Sequence, residues 1–343
     1  ARGRDGTSFG WINDEQVAAG VDPQAQINVF GGEERIWLGP EAGQYGIFFP
    51  PGAEFEFANW QTPPAIDQAA YEVVDSNNED RGQFIDLRHT ATFTNYSAAE
   101  CEVQIDRRIE LLTPEEAAQS LGVDAQGLDL VGYRTTNRLT NRGENAWRKE
   151  TGLLSIWILG MYKHGPETTA VIPFRKGLVE QLGPIVNDDY FGEVSADRLK
   201  VGDGVVYFKC DGRQRGKIGI PPQRALPICG SYDPSRQVLT IVKYNQPGPE
   251  TTDYVNSQWE LQEHPYGGDV VNAYNDGPPA PGVEPLGPFY ELETSSPALA
   301  LAPGASGTHV QETYHFEGDA SRLNALAQTL LGVSLTQIEA ALP

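Results

Sequence analysis

The chain has 343 residues, with 37 Gly, 25 Pro, 14 Tyr, 13 Phe and 6 Trp and a hydrophobic share of 39%, a composition typical of a β-rich globular protein with a real core. Its 25 Lys and Arg stand against 47 Asp and Glu, and the net charge of −22 excludes nucleic acid and anionic lipid as expected partners, because like charges repel. Three cysteines without CxxC spacing predict neither a disulfide framework nor a zinc cluster, and no stretch approaches the roughly 20 apolar residues that span a bilayer.

The N-terminal stretch ARGRDGTSFG lacks the apolar core of a signal peptide. Because the chain starts with Ala and not Met, we interpret it as compatible with a processed form. The sequence leaves the compartment open between periplasm, exterior and cytoplasm, and it leaves the oligomeric state open as well.

The first candidate segment in chain order is GGEERIWLGPEAGQYGIFF, residues 31–49. Its Arg35, Trp37, Glu41 and Gln44 are side chains of the types that bind sugars, an aromatic face for C–H surfaces and planar polar groups for hydroxyls. The alternative interpretation is a hairpin with an Arg–Glu pair on its surface.

Alternating polar and apolar residues predict a long run of antiparallel strands between residues 27 and 316. Clear examples are FIDLRHTATF, EVQIDRRIEL, VVYFKC, VLTIVKY and HVQETYHF, separated by Gly, Pro and Asn turn signals. No fixed-period repeat accompanies them, so the pattern favours a folded β-sandwich over a propeller or solenoid.

A short helix interrupts the strands at LTPEEAAQSLG. Thr113 suits the N-cap, Pro114 the first helical position, Glu116 completes a capping box and Gly122 ends the helix. The pattern predicts a surface helix over residues 114–121.

The next segment, residues 142–174, contains Trp147, Trp157 and the only methionine, Met161. Trp157 and Met161 lie in the apolar run LLSIWILGMY, which is typical of ordinary core packing. The alternative is that Trp157 presents its ring to a bound glycan.

A basic segment follows in FKCDGRQRGKIGIPP, residues 208–222. We predict a basic hairpin loop in which Arg215 and Lys217 share a strand face. Such a loop either binds an anionic sugar such as a uronate or is a solvated turn that balances local charge.

Residues 264–288, with GPPAPGVEPLGP, are too rich in Pro and Gly for regular structure and predict a long loop over the mouth of the sheet. The loop leads into a predicted strand, Phe289–Thr294, where period-two alternation places Glu291 and Glu293 on one face and Leu292 on the other. The acid pair marks either a solvated sheet face or a ligand face on which one carboxylate acts as base or hydrogen-bond acceptor.

The C-terminus predicts two short helices separated at Gly332. Leucines at helical spacing in the first are Leu323, Leu326, Leu330 and Leu331. We expect residues 319–343 to form a helical cap that packs on a β-sandwich domain spanning residues 1–318.

Metal and nucleophile motifs are weak. The five histidines show no HExxH spacing, and no GxSxG elbow is present. Residues 187–189 and 272–276 supply oxygen ligands of the kind that calcium prefers, or they are turns. We therefore expect no cofactor, with calcium as the one candidate.

Four segments, taken in order, resemble an uncharacterised bacterial family related to galactose mutarotase. They are FGGEERIWLGPEAGQYGIFF, AWRKETGLLSIWILGMY, DGRQRGKIGI and GPFYELETSSPALALAPGASGTHVQETYHF, and the resemblance covers about residues 27–316. It implies an all-β, galactose mutarotase-like β-supersandwich with short helices, whose concave face binds carbohydrate.

The resemblance to aldose 1-epimerases selects Glu293. Their catalytic Glu lies in a Leu-Glu-Thr/Pro strand followed by a Pro-Gly turn, and residues 292–294 and 302–304 occupy those places here. Two expected histidines are missing, since residues 31–32 are Gly-Gly and residues 155–158 read Ser-Ile-Trp-Ile. Mutarotation needs a base and an acid, so the usual acid is unassigned.

Three hypotheses follow. The first is a carbohydrate-binding protein, with the ligand around Glu293. The second is a carbohydrate-active enzyme, epimerase-like (an isomerase) or glycoside-processing. The third is a structural or assembly domain with the C-terminal helices as its interface. The residues predicted to act in catalysis are Glu293, Glu41 and Lys217, and those predicted to bind substrate are Arg35, Trp37, Trp157, Arg215 and Glu291.

Overall fold

A computed structural model of the chain describes residues 1–3, 5–78, 83–248, 250–280 and 282–343. Within these residues the strands form two antiparallel sheets, one of five strands and one of ten. The predicted all-β class with short helices is confirmed.

The five-stranded sheet carries the candidate site. Numbered in chain order and given in spatial order, its strands are β1 (Glu34–Gly39), β6 (Ser155–Lys163), β14 (Phe289–Ser295), β13 (Val271–Asn275) and β10 (Gly216–Ile220). Every neighbouring pair is antiparallel.

The ten-stranded sheet lies behind it. In spatial order its strands are β2 (Glu72–Asn77), β3 (Phe84–Thr94), β4 (Glu100–Leu112), β5 (Asp129–Asn141), β15 (Ser306–Glu317), β12 (Val238–Tyr244), β11 (Ile228–Asp233), β7 (Thr169–Pro173), β9 (Val205–Lys209) and β8 (Leu199–Val201).

Buried polar contacts join the two sheets as well as apolar ones. Thr294 of β14 donates to Gln311 of β15 over 2.6 Å, and Glu34 of β1 pairs with Arg107 of β4 over 2.9 Å. Alternation along β1 and β14 then turns Arg35 and Glu293 to the opposite face, away from the ten-stranded sheet.

The helices are short and lie outside the sheets. They are α1 (Asp14–Ala19), α2 (Pro64–Asp67), α3 (Pro114–Leu121), α4 (Val179–Leu182), α5 (Ala320–Leu331) and α6 (Leu335–Glu339). Helix α3 has the predicted capping box between Thr113 and Glu116, and Gly122 follows it in the left-handed region at φ 67°. None of the helices in the described ranges has the length and apolarity needed to cross a membrane.

Helices α5 and α6 pack on the outer face of the ten-stranded sheet, against β7 and β11. Their buried Leu323, Leu326, Leu331 and Ile338 join one apolar cluster with residues of that sheet. The predicted break at Gly332 is present, with φ 75°. The division into domains 1–318 and 319–343 stays a prediction.

Two local predictions were wrong. Residues 264–288 are not one continuous loop, because β13 lies within them and pairs with both β10 and β14; residue 281 is outside the described residues. The basic segment is not a hairpin, since β9 and β10 belong to different sheets and the chain crosses from one sheet to the other between them. Both errors concern long-range pairing, which turn residues do not specify.

Candidate functional site

A cavity of about 680 Å³, counting its open mouth, lies on the exposed side of the five-stranded sheet. Strand residues that line it are Arg35, Trp37, Trp157, Leu159, Lys217, Tyr274, Phe289, Glu291 and Glu293. They come from all five strands, because the pairing register places every second residue of each strand on the same face of the sheet. Arg35 lies opposite Leu159, and Leu159 lies opposite Glu293.

Connecting segments build the other walls of the cavity. Their lining residues are Ile27, Val29, Glu41, Phe57, Trp60, Tyr190, Phe191, Arg215, Trp259 and Leu286. The site is therefore a charged floor under largely aromatic walls, the composition typical of a small-ligand pocket.

The Lys217–Glu293 pair forms the centre of the floor. Lys217 Nζ lies 2.9 Å from Glu293 Oε2, and their side chains are 6% and 1% exposed. The indole of Trp157 donates to the same oxygen over 2.9 Å. Lys217 Nζ also lies over the rings of Trp157 and Tyr190, at 4.7 and 4.6 Å from their centroids.

Both partners keep hydrogen-bonding capacity that the protein does not use. Within the part of the chain that the structure describes, Glu293 Oε1 accepts no hydrogen bond, and Lys217 donates only to Glu293. An ammonium has three N–H groups and a carboxylate oxygen two lone pairs. One carboxylate oxygen and two ammonium hydrogens are thus free to bind a ligand hydroxyl.

The neighbouring acid, Glu291, has its own cation. Arg35 donates to Glu291 Oε1, and the Arg35 guanidinium lies over the Trp37 ring at 4.9 Å. Burial raises the pKa of Glu291 to about 7; the positive charge of Arg35 opposes this shift and the negative charge of Glu293 adds to it. Two acids on one strand face therefore have different cationic partners.

Glu41 faces this floor and accepts hydrogen bonds from three aromatic side chains. The indoles of Trp60 and Trp259 donate to Oε1 over 2.8 and 3.1 Å. The Tyr190 hydroxyl lies 2.6 Å from Oε2. Burial raises the pKa of Glu41, and the positive charge of Lys217 opposes the shift.

The Tyr190 hydroxyl has two acceptors for one hydrogen. The hydroxyl carries one hydrogen, yet it lies within bonding distance of Glu41 Oε2 and of the Ser257 carbonyl oxygen, which is 2.8 Å away. A carbonyl can only accept. Tyr190 donates its hydrogen to one of the two at a time, and a hydrogen on Glu41 Oε2 would complete the other contact; burial, which raises the pKa of Glu41, acts in that direction.

Arg215 lines the cavity at the end of β10. Its guanidinium lies over the Phe191 ring, 3.8 Å from the centroid, and its buried Nε has no hydrogen-bond partner. Arg35 also has a buried Nε without a partner. The two arginines thus keep unused donors at a cavity wall.

All eight residues predicted from the sequence as catalytic or substrate-binding line this one cavity. They are Glu293, Glu41, Lys217, Arg35, Trp37, Trp157, Arg215 and Glu291. Their roles stay predictions, but their convergence is a structural fact. The solvated-face interpretation of Glu291 and Glu293 was wrong, because these residues are 4% and 1% exposed. The surface-pair interpretation of Arg35 was also wrong, since its partner Glu291 comes from a distant, buried strand.

Gln44 does not join the site. It donates to the Gln262 carbonyl and accepts from the Gln262 amide, so it anchors one connecting segment to another. None of the five histidines lines the cavity. No histidine from another segment therefore takes the place in the cavity of the two that the resemblance predicts.

Sequence reasoning missed the aromatic walls. Trp60, Tyr190, Phe191, Trp259 and Tyr274 line the cavity but were not singled out. The sequence does contain one indication for Trp60 and Trp259, which lie in the polar, irregular segments ANWQ and SQWE. A large indole in such a segment has to be buried against another part of the chain.

Residues 187–189 and 272–276, the candidate calcium ligands, have other contacts. Asn187 bridges to Gly219, and residues 272–275 lie in β13 and not in a turn. Asp276 accepts from the Tyr274 hydroxyl and the Gly287 amide. Among the described residues, no group of three or more His, Cys, Asp and Glu side chains could hold a metal ion. Calcium binding stays an unsupported prediction.

A family model described as a family of unknown function, DUF6786, matches residues 1–342. No curated protein matches the chain.

Several solved structures are similar to this chain. The Slr1438 protein from Synechocystis sp. PCC 6803 matches with a TM-score of 0.50 and 14% identity, over 92% of this chain and 86% of that one. A putative aldose 1-epimerase from Escherichia coli K12 has a TM-score of 0.43 and 13% identity, over 82% and 83%. A galactose mutarotase-like protein from Clostridium acetobutylicum has a TM-score of 0.46 and 12% identity, over 85% and 80%. The likeness to the Slr1438 protein concerns the fold alone, and identities this low say nothing about activity. The expected resemblance to an uncharacterised family agrees with the family match.

Proposed function

The chain belongs to the family of unknown function DUF6786, and from its cavity we propose that it is a carbohydrate-binding protein. The ligand would lie on the five-stranded sheet around Glu293, between the charged floor and the aromatic walls.

The observation that carries this proposal is the combination of four indoles with unused charged donors and acceptors in one cavity. Trp37, Trp60, Trp157 and Trp259 all line it. A sugar ring has apolar C–H faces, which pack on indoles, and a rim of hydroxyls, which need both donors and acceptors. Glu293 Oε1 supplies an unused acceptor, and Lys217 supplies unused donors.

The ion pairs support binding of a polar ligand for a second reason. The Lys217–Glu293 and Arg35–Glu291 pairs fix four charged groups in place before any ligand enters. Binding then costs little side-chain ordering, and a hydroxyl bonded to a charged group gains more than one bonded to a neutral group.

The second candidate function is a carbohydrate-active enzyme, and the protonation geometry of Glu41 favours it. In an epimerase-like or glycoside-processing reaction, Glu293 Oε1 would take a hydroxyl proton, and Glu41 would supply a proton at the other wall. Lys217 would stabilise negative charge that develops on the sugar. This assignment gives the acid role to Glu41 in place of the missing histidine.

Isothermal titration with a panel of aldoses and uronates tests the binding proposal. We expect at least one sugar to bind, and Glu293→Gln to weaken it about tenfold or more, because a hydrogen bond to a charged group is lost. Glu144→Gln, which changes an exposed acid outside the cavity, is the matched control and should bind normally. If no sugar binds, the proposal fails and an assembly role through the C-terminal helices gains.

NMR saturation transfer between sugar anomers separates the two candidates. Exchange that the wild type accelerates, and that both Glu293→Gln and Glu41→Gln abolish, would support the enzyme. Binding without accelerated exchange, and without cleavage of a glycoside panel, would support the binding protein alone.

A further inference from the structure

Three basic and three acidic side chains line the cavity, but only two of the basic ones form an ion pair with an acid among the described residues. Arg35 pairs with Glu291, and Lys217 pairs with Glu293. Across the described ranges of the chain, no carboxylate oxygen lies within 4.0 Å of the Arg215 guanidinium, and the guanidinium makes no hydrogen bond. It lies over the Phe191 ring instead. An arginine that faces a pocket with all five N–H donors unused is a strong anion receptor.

We propose that the ligand is an anionic carbohydrate, and that its carboxylate or phosphate group binds to Arg215. This inference rests on the proposed function, because it adds a substrate class to the same site. It also deepens that function by specifying the charge of the sugar.

The surroundings of Arg215 favour a bound anion. Phe191, Tyr274, Leu286 and Phe289 line the same cavity, and the Phe191 ring fixes the plane of the guanidinium. Apolar walls exclude water and strengthen a charge-assisted hydrogen bond. A planar guanidinium held in this way can bind two oxygens of one carboxylate or phosphate in parallel.

A buried acid that interacts electrostatically with Arg215, Asp276, does not use these donors. Asp276 is buried, and its two oxygens accept from the Tyr274 hydroxyl and the Gly287 amide, each over 2.7 Å. The positive charge of Arg215 helps to lower the pKa of Asp276, while burial raises it by more. Asp276 thus offsets part of the positive charge of Arg215 but leaves the guanidinium hydrogens of Arg215 free to bind a ligand.

The chain is rich in acidic residues, so an arginine without an acidic partner among the described residues is unusual here. With a net charge of −22, acidic partners for a surface arginine are plentiful. Arg213, two residues earlier, lies 3.8 Å from Asp211 and is 73% exposed. Arg215 instead lines the cavity and has no ion-pair partner among the residues that the structure describes.

The test compares matched sugars by isothermal titration. The arms are glucose and galactose, their uronates, and their 6-phosphates, each titrated into the full chain. We expect at least one anionic sugar to bind about tenfold or more tightly than its neutral counterpart, which is the range for a hydrogen bond to a charged group. The preferred arm identifies the anion as carboxylate or phosphate.

Two variants assign the preference to Arg215. Arg215→Gln should abolish the preference for the anionic sugar, measured as the ratio of its affinity to that of its neutral counterpart in the same variant. Arg213→Gln makes the same change in net charge outside the cavity and should keep the preference. Arg215→Lys, which keeps the charge and loses the fork, should retain part of it. Circular dichroism verifies that each variant is folded.

Failure of this inference differs from failure of the proposed function. Equal affinity for neutral and anionic sugars, or a preference that survives in Arg215→Gln, overturns the anion assignment while sugar binding stands. Absence of binding in every arm overturns both.

Discussion

At the scale of the residue, the site shows how identical side chains acquire different properties. Glu291 and Glu293 are two positions apart on one strand face, and both are buried. Arg35 pairs with the first, while Lys217 and the Trp157 indole bind the second. The partners come from three other strands, β1, β10 and β6, so alternation along β14 alone does not distinguish the two acids.

The raised pKa of Glu291 predicts a pH-dependent stability. Burial raises its pKa from 4.5 to about 7, so the folded state binds this proton more tightly than the unfolded state does. The stabilisation is complete below pH 4.5 and is lost as pH rises to about 7. At about 1.4 kcal/mol per pKa unit, the loss is on the order of 3 kcal/mol.

Thermal unfolding from pH 4 to 8 measures this effect in wild type and Glu291→Gln. We expect wild type to lose stability relative to the variant as pH rises, because glutamine cannot ionise. Other buried acids with raised pKa values, including Glu41 and Asp269, are common to both proteins and cancel. Parallel stability curves for the two proteins would contradict the prediction.

At the scale of the element, local sequence signals succeeded where the interactions are local. Helix α3 was predicted with its N-cap, capping box and terminal glycine, and all three are present. Each contact joins residues a few positions apart, so no knowledge of the fold is needed. Strand β13 was not predicted, because its five residues are flanked by Gly and Pro turn signals. They form a strand only through pairing with β10 and β14.

The capping box predicts a measurable contribution to stability. The Thr113 hydroxyl accepts from the Glu116 amide, and the Thr113 amide donates to the Glu116 carboxylate in return. Thr113→Ala should lower the free energy of unfolding by about 1 kcal/mol, measured from the urea midpoint.

Thr329→Ala is the control for this variant. Thr329 lies on the exposed side of α5 and bonds only to the Ala325 carbonyl of its own helix. Its replacement should leave the urea midpoint unchanged or raise it slightly, since alanine is the better helix former. Equal losses in the two variants would show that the cap contributes nothing specific.

At the scale of the whole molecule, two sheets separate the C-terminal helices from the cavity. The C-terminal helices cover one face of the ten-stranded sheet, the five-stranded sheet covers the other, and the cavity opens on the far side of the five-stranded sheet. A change in the helical cap therefore lies two sheets away from the cavity.

This layering predicts that core variants of the cap alter stability and not affinity. Leu323 is fully buried on α5, and Leu323→Ala should cost about 2–5 kcal/mol in the free energy of unfolding. Leu330→Ala, the same change at a half-buried position of the same helix, should cost clearly less. Urea denaturation measures both.

Sugar affinity of the folded Leu323→Ala protein, measured below its unfolding transition, should equal that of wild type. A loss of affinity at full folding would mean that the cap and the cavity are coupled. It would contradict the separation of the two faces.

The sequence by itself determined the β-rich class, helix α3 and the C-terminal helix pair, because alternation, capping and composition are local properties. It also selected all eight candidate residues, partly through a resemblance at the level of the family. Only the tertiary structure decided that these residues share one cavity, which cation binds which acid, and that Arg215 is left unpaired. Those facts depend on strand register and sheet order across hundreds of residues, and the free energy that sets them comes from burial in the assembled fold.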